Sequence, residues 1–149
     1  MGRKPGRPKR GQLADMTIPP NDAPGYELPD PSECEDFDDR IVLEAGHELQ
    51  VRFRLWKGRL VVEFAIMQYV RHNGQWIEAA RIDTCHGSVH VHQMHKSRLT
   101  DRQGQRRELQ AIPPHNGWTV VDQWYDRALT LMKNEWTDNL RRWRRGRRA

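Results

Sequence analysis

Residues 81–96 read RIDTCHGSVHVHQMHK, with His86, His90, His92 and His95 inside ten positions and Asp83 and Cys85 just ahead of them. Imidazole is the side chain whose ordinary pKa lies nearest neutrality, so it takes up and releases protons under mild conditions. It is also a frequent ligand of divalent metals, with nitrogen about 2.0–2.1 Å from zinc. Three uses of the cluster are open. Asp83 could orient His90 as a proton-transfer group. His90, His92, Asp83 and Glu63 could hold a divalent metal as cofactor. The set could also be the water-facing side of a strand pair, where cross-strand charges add modest stability. Cys85 lacks any surrounding catalytic signature and is read as a structural thiol. His95 has the opposite strand parity to His90 and is expected at the periphery.

The choice depends on the elements that aim these side chains. Residues 48–55, ELQVRFRL, alternate apolar and polar, which predicts a half-buried strand. LVVEFAIMQYV, residues 60–70, follows as its partner. A two-residue Lys57-Gly58 turn would pair Phe53 with Val62, Val51 with Phe64, and Arg52 with Glu63. At His72-Asn73-Gly74 a two-residue Asn-Gly turn would place Arg81 and Asp83 on the apolar face. A three-residue loop avoids that burial and sets Phe64 against Ile82 and Gln68 against Glu78, so it is preferred. A tight turn at His86-Gly87 then pairs Ile82 with Val91, Asp83 with His90 and Arg81 with His92. Stacking these registers gives a polar row of Arg52, Glu63, Asp83 and His90. Residues 101–104 read as a further turn, and Arg106 to Ile112 as a fifth strand.

From Val121 to Trp143 the apolar residues recur at intervals of three and four, which predicts a long amphipathic helix covering the sheet, with Thr119 as its N-cap. The expected fold is thus α+β: a four- to five-stranded antiparallel meander packed by a C-terminal helix. Residues 1–39 hold seven of the nine prolines and an acidic run, and are expected as a disordered arm. The domain is expected at 40–143, followed by an arginine-rich tail at 144–149. Apolar residues are 36% of the chain, enough for one small core and no membrane span. No apolar leader is visible, and two cysteines without metal spacing are expected as reduced thiols, which suits a cytoplasmic protein.

Charge is segregated. Arg3, Lys4, Arg7, Lys9 and Arg10 open the chain without an acid among them, nine acids without a base fill residues 14–39, and Arg141, Arg142, Arg144, Arg145, Arg147 and Arg148 close it. The basic ends are candidates for neutralising phosphates, with Trp143 available to stack on bases. Gly6-Arg7-Pro8 in its basic setting resembles an AT-hook, which implies insertion into an A·T minor groove, although Pro5 stands where that motif carries arginine. The pattern Arg81-x-Asp83-x-x-His86-Gly87-x-x-His90, with Trp76 before it and a hairpin and helix after it, resembles an uncharacterised domain family of actinobacteria and their phages. More loosely it is similar to TumE-like toxins of toxin–antitoxin pairs. The resemblance covers roughly residues 48–140. It implies a fold, and through the toxin likeness a ribonuclease-like use of Asp83, His86 and His90. His92 lies outside the matched pattern and joins the candidate catalytic residues, with Arg81, by its place on the same face. The expected function is therefore a nucleic-acid-associated protein with a His/Asp/Arg cluster on its open sheet face. A toxin-type ribonuclease and an adaptor that meets a protein partner are the alternatives.

Overall fold

The computed structural model describes residues 25–85 and 87–145. Arg3, Lys4, Arg7, Lys9, Arg10, His86, Arg147 and Arg148, and with them the AT-hook-like segment, lie outside the described residues. Among the described residues six strands run antiparallel, each beside the next in chain order: β1 (Cys34–Glu44), β2 (His47–Trp56), β3 (Leu60–His72), β4 (Gln75–Cys85), β5 (Ser88–Gln93) and β6 (Gln105–Ala111). One long helix, α1 (Trp118–Arg145), follows. The fold is α+β, with six strands rather than four or five.

The extra strand comes from the acidic run, so the arm expected through residue 39 gives way to sheet at Cys34. Two features let so charged a segment pair. Phe37, Ile41 and Leu43 alternate toward the helix side, where Phe37 stacks on Phe53 with ring centres 5.2 Å apart. On the other side Asp36 accepts from Arg54 Nε at 2.8 Å and Arg40 donates to Glu48.

Helix α1 covers one face of the sheet. Val51, Phe64, Ile66, Ala80, Ile82 and Val89 form a core with Val121, Ala128 and Met132. Val70, Ala79, Met94, Leu140 and Trp143 form a second cluster toward the end of the helix. Each large apolar side chain so enclosed contributes about 1.5–3 kcal/mol. Amides complete the docking. Gln68 donates to the Trp136 carbonyl at 2.9 Å and accepts from Asn139 at 3.1 Å. The helix begins at Trp118, so Thr119 lies inside its first turn and is not the N-cap. The Asp122 carboxylate accepts from the Val61 amide at 2.9 Å and ties α1 to β3. Among the described residues no helix is long and apolar enough to cross a membrane.

Two registers differ from expectation. Between β2 and β3 the loop is three residues, Lys57 to Arg59, and Val62 bulges, so Phe53 faces Phe64, Val51 faces Ile66 and Arg52 faces Ala65. From Glu63 onward the shift is by two residues, which keeps those side chains on their expected faces but moves Glu63 beside Arg54, while before the bulge Val61 takes the place expected for Leu60 opposite Leu55. Between β3 and β4 the turn is the two-residue Asn73-Gly74 form, with φ of 51° and 77°. Taken alone it would send Arg81 and Asp83 under the helix. Ala79 prevents this. It is an extra residue between the Tyr69–Glu78 and Gln68–Ala80 pairs, and this β-bulge restores the parity, with Ile66 facing Ile82 and Ala65 facing Asp83. From there β4 and β5 pair as expected, Asp83 with His90 and Arg81 with His92.

Candidate functional site

The face of the sheet away from α1 was expected to be wet, but at its centre it is closed. Asp83, His90 and His92 are 2%, 0% and 1% exposed. Neighbouring strands flank them, and the connection from β5 to β6 supplies capping groups. In that connection the Asp101 carboxylate accepts from the amides of Gln103 and Gly104, holding a turn. The turn's carbonyls then face the polar side chains. The Gln103 carbonyl accepts from His92 Nδ1 at 2.8 Å, and the Arg102 carbonyl accepts from Arg81 at 3.3 Å.

The side chains form a continuous charged network. Arg81 Nε lies 2.9 Å from Asp83 Oδ2, while its Nη1 donates to Glu78 at 3.1 Å. Asp83 Oδ1 is 2.9 Å from His90 Nε2 and 3.6 Å from His92 Nε2. Ser88 Oγ meets His90 Nδ1 at 3.0 Å, and the two imidazoles sit edge to face at 4.9 Å. The contact between Asp83 Oδ1 and His90 Nε2 is short, yet neither atom is aligned for a hydrogen bond. Burial alone would raise Asp83, but His90, His92 and Arg81 outweigh it and hold the carboxyl well below its ordinary range.

Glu78 behaves in the opposite way. Burial pushes its carboxyl up to about 7, against the pull of Arg81 and with added repulsion from Asp83. The folded state therefore holds this proton more tightly than the unfolded chain does. The contribution is complete below the unfolded pKa and is lost as pH rises from 4.5 through about 7. Urea denaturation should show stability falling across that window, and Glu78→Gln should flatten that part of the slope. An unchanged slope in the variant would assign the pH dependence to other groups.

The structure thus brings Arg81, Asp83, His90 and His92 together, as the strand pairing implied. Glu63 does not join them. It lies 3.3 Å from Arg54, two residue pairs along the sheet on the same face, so the expected row of Arg52, Glu63, Asp83 and His90 becomes Arg52, Ala65, Asp83 and His90. His86 lies outside the described residues. Sequence reasoning missed Glu78, because without the Ala79 bulge it belongs to the apolar face.

A half-open cavity of about 380 Å³ adjoins the network, lined in part by Tyr69, Trp76, Glu78, His95, Arg98 and Arg102. His95 is therefore less peripheral than expected. It is buried, and neither ring nitrogen has a hydrogen-bond partner. Trp76 is 37% exposed, with the Arg71 guanidinium 5.5 Å from its ring. Trp143, expected to be available for stacking, is instead a core residue that packs edge-on against His72 and lines the cavity wall. Of the helix-end arginines, Arg141 pairs with Asp138 and Arg142 donates to Gln93 and Asn139, while Arg144 and Arg145 are exposed.

The sequence pattern of DUF7718, a domain of unknown function, matches residues 34–148. The chain belongs to this family. The DUF7718 region opens at the first residue of β1 and takes in all six strands and α1, so the whole network lies within it. Membership agrees with the resemblance to an uncharacterised domain family. No curated protein and no solved structure matches the chain.

Proposed function

We propose that this DUF7718 protein associates with single-stranded nucleic acid at the end of the molecule where α1 finishes. The observation that carries this reading is the cavity. Tyr69 and Trp76 give it aromatic walls, Arg98 and Arg102 give it positive charge, and about 380 Å³ accommodates an unstacked base. The cationic residues around it belong to adjacent elements. Lys96 and Arg98 lie in a short 3-10 turn after β5, and Arg142 ties the helix end to Gln93 at the end of β5. Arg144 and Arg145 extend this positive surface, while the acids of β1 lie on the opposite edge strand. The basic ends of the chain would neutralise further phosphates without sequence preference.

Removal of residues 141–149 is an unsuitable test, because it takes Trp143 out of the core. Point substitutions serve better. Binding of single-stranded RNA and DNA, read by fluorescence anisotropy across a salt series, should weaken roughly 5- to 150-fold in Trp76→Ala, the range of one missing base stack. Arg144→Gln with Arg145→Gln should lower the salt slope by about 0.7 for each phosphate that is no longer neutralised. Affinity that is unchanged in Trp76→Ala and equal for duplex and single strand would reduce the reading to a nonspecific basic tail.

The 2.9 Å approach of Asp83 and His90 favours a second reading, ribonuclease-like proton transfer. Burial of both groups opposes it, since a phosphodiester needs an approach to them. RNA cleavage that is lost in His90→Ala would restore it.

A further inference from the structure

We infer that Asp83, His90 and His92 form a binding site for zinc or a similar divalent transition-metal ion. This rests on groups other than those that carry the nucleic-acid reading. One ligand atom each from Asp83, His90 and His92 lie within 4.8 Å of one another, inside the protein. Ligand atoms about 2.0–2.2 Å from one tetrahedral ion stand roughly 3.4 Å apart. The distances of 2.9 Å and 3.6 Å from Asp83 Oδ1 bracket that value.

Proton placement makes the case stronger than proximity alone. The Gln103 carbonyl can only accept, so His92 Nδ1 carries a hydrogen. With that hydrogen alone on the ring, the form in which histidine ligates a metal, Nε2 turns a lone pair toward the carboxylate. Asp83 Oδ1 and His90 Nε2 are enclosed and lack an aligned hydrogen bond. When the Ser88 hydroxyl accepts from His90 Nδ1, His90 Nε2 also presents a lone pair, and a cation between it, Asp83 Oδ1 and His92 Nε2 removes their mutual repulsion. The surrounding contacts are those that orient metal ligands. The far nitrogen of His92 is held by a carbonyl, that of His90 by a hydroxyl, and the far oxygen of Asp83 by Arg81. Two imidazoles and one carboxylate suit zinc and its neighbours, not magnesium or calcium, which prefer oxygen ligands. Glu63, expected as a fourth ligand, is beside Arg54, so three protein atoms leave at least one coordination position to another donor.

The test uses the untagged full chain. After chelation and dialysis it is titrated with zinc, with cobalt(II) as a coloured substitute and with magnesium as a control. Zinc should bind at about one equivalent. At a hundredfold excess over Kd it should raise Tm on the order of 10 °C. Cobalt should give a tetrahedral visible spectrum that zinc abolishes, and magnesium should do neither. His92→Gln and Asp83→Asn should each lose the spectrum and the shift in Tm. The wild-type titration decides the matter even if a variant fails to fold. A wild-type chain that takes up neither zinc nor cobalt, with Tm unmoved, would overturn the site and leave a network closed by protons. Equal uptake by the folded variants would overturn it too, by placing the metal elsewhere.

Discussion

Deleting Ala79 should destabilise the domain by about 3–5 kcal/mol, while Ala79→Gly should cost about 1 kcal/mol. The difference separates the count of residues from the side chain. With Ala79 present, the Asn73-Gly74 turn and the β4–β5 pairing are both satisfied. Without it, one must yield. If residues 80–85 keep step with the turn, Arg81 and Asp83 move under the helix and Ile82 leaves the core, and each charge is buried without its partners. If the first part of β4 flips instead, Ile77 loses its place against Val70 and the Asn-Gly turn opens. The bulge is also anchored, since the Ala79 carbonyl accepts from the Met94 amide and from Gln93, both at 3.0 Å. Urea denaturation of the two variants beside wild type checks the prediction. A deletion no worse than the glycine substitution would mean that the hairpin re-registers freely.

Arg81→Met should lower stability by a similar amount, about 3–5 kcal/mol in the presence of a chelator. Methionine keeps much of the volume, so poorer packing is a minor part of the effect. The main cost falls on the groups left behind. Glu78 and Asp83 would share the interior with no cation between them, and the Arg102 carbonyl would lose its donor. Adding Glu78→Gln and Asp83→Asn to Arg81→Met should recover part of the loss, because neutral amides do not repel. Absence of any recovery would assign the effect of Arg81 to packing.

How much of this was legible in the sequence varied by element, for physical reasons. Asp83 opposite His90 and Arg81 opposite His92 followed from one tight turn and clean alternation, and β4 and β5 pair in that way. The β3–β4 hairpin shows the limit. The chain does keep Arg81 and Asp83 out of the helix-facing core, but not at the turn, where the three-residue loop was expected. It does so with a bulge several residues later, at Ala79. Parity requires one extra residue somewhere and does not say where. The β2–β3 shift was hidden because moving by two residues exchanges one apolar pair for another. Alternation at Phe37, Ile41 and Leu43 was present in the acidic run, yet the density of aspartates masked it. Burial of the polar face left no local sign, since it depends on Gln103 and Arg102, which lie in a connection about ten residues beyond the histidines.

The amides between sheet and helix have a consequence for how α1 finds its seat. An apolar stripe is nearly periodic, so sliding the helix by one turn, about 5.4 Å, exchanges one greasy contact for another at little penalty. Gln68 and Asn139 do not tolerate such a slip. Gln68 must reach both the Trp136 carbonyl and the Asn139 amide, and Gln93 must reach the Asn139 carbonyl. A misplaced helix would strand these groups in a dry interface, each at a cost of about 1–3 kcal/mol. The amides therefore work as a latch on a sliding bolt. Hydrophobic attraction brings the helix to the sheet, and the latch closes at a single axial and rotational setting.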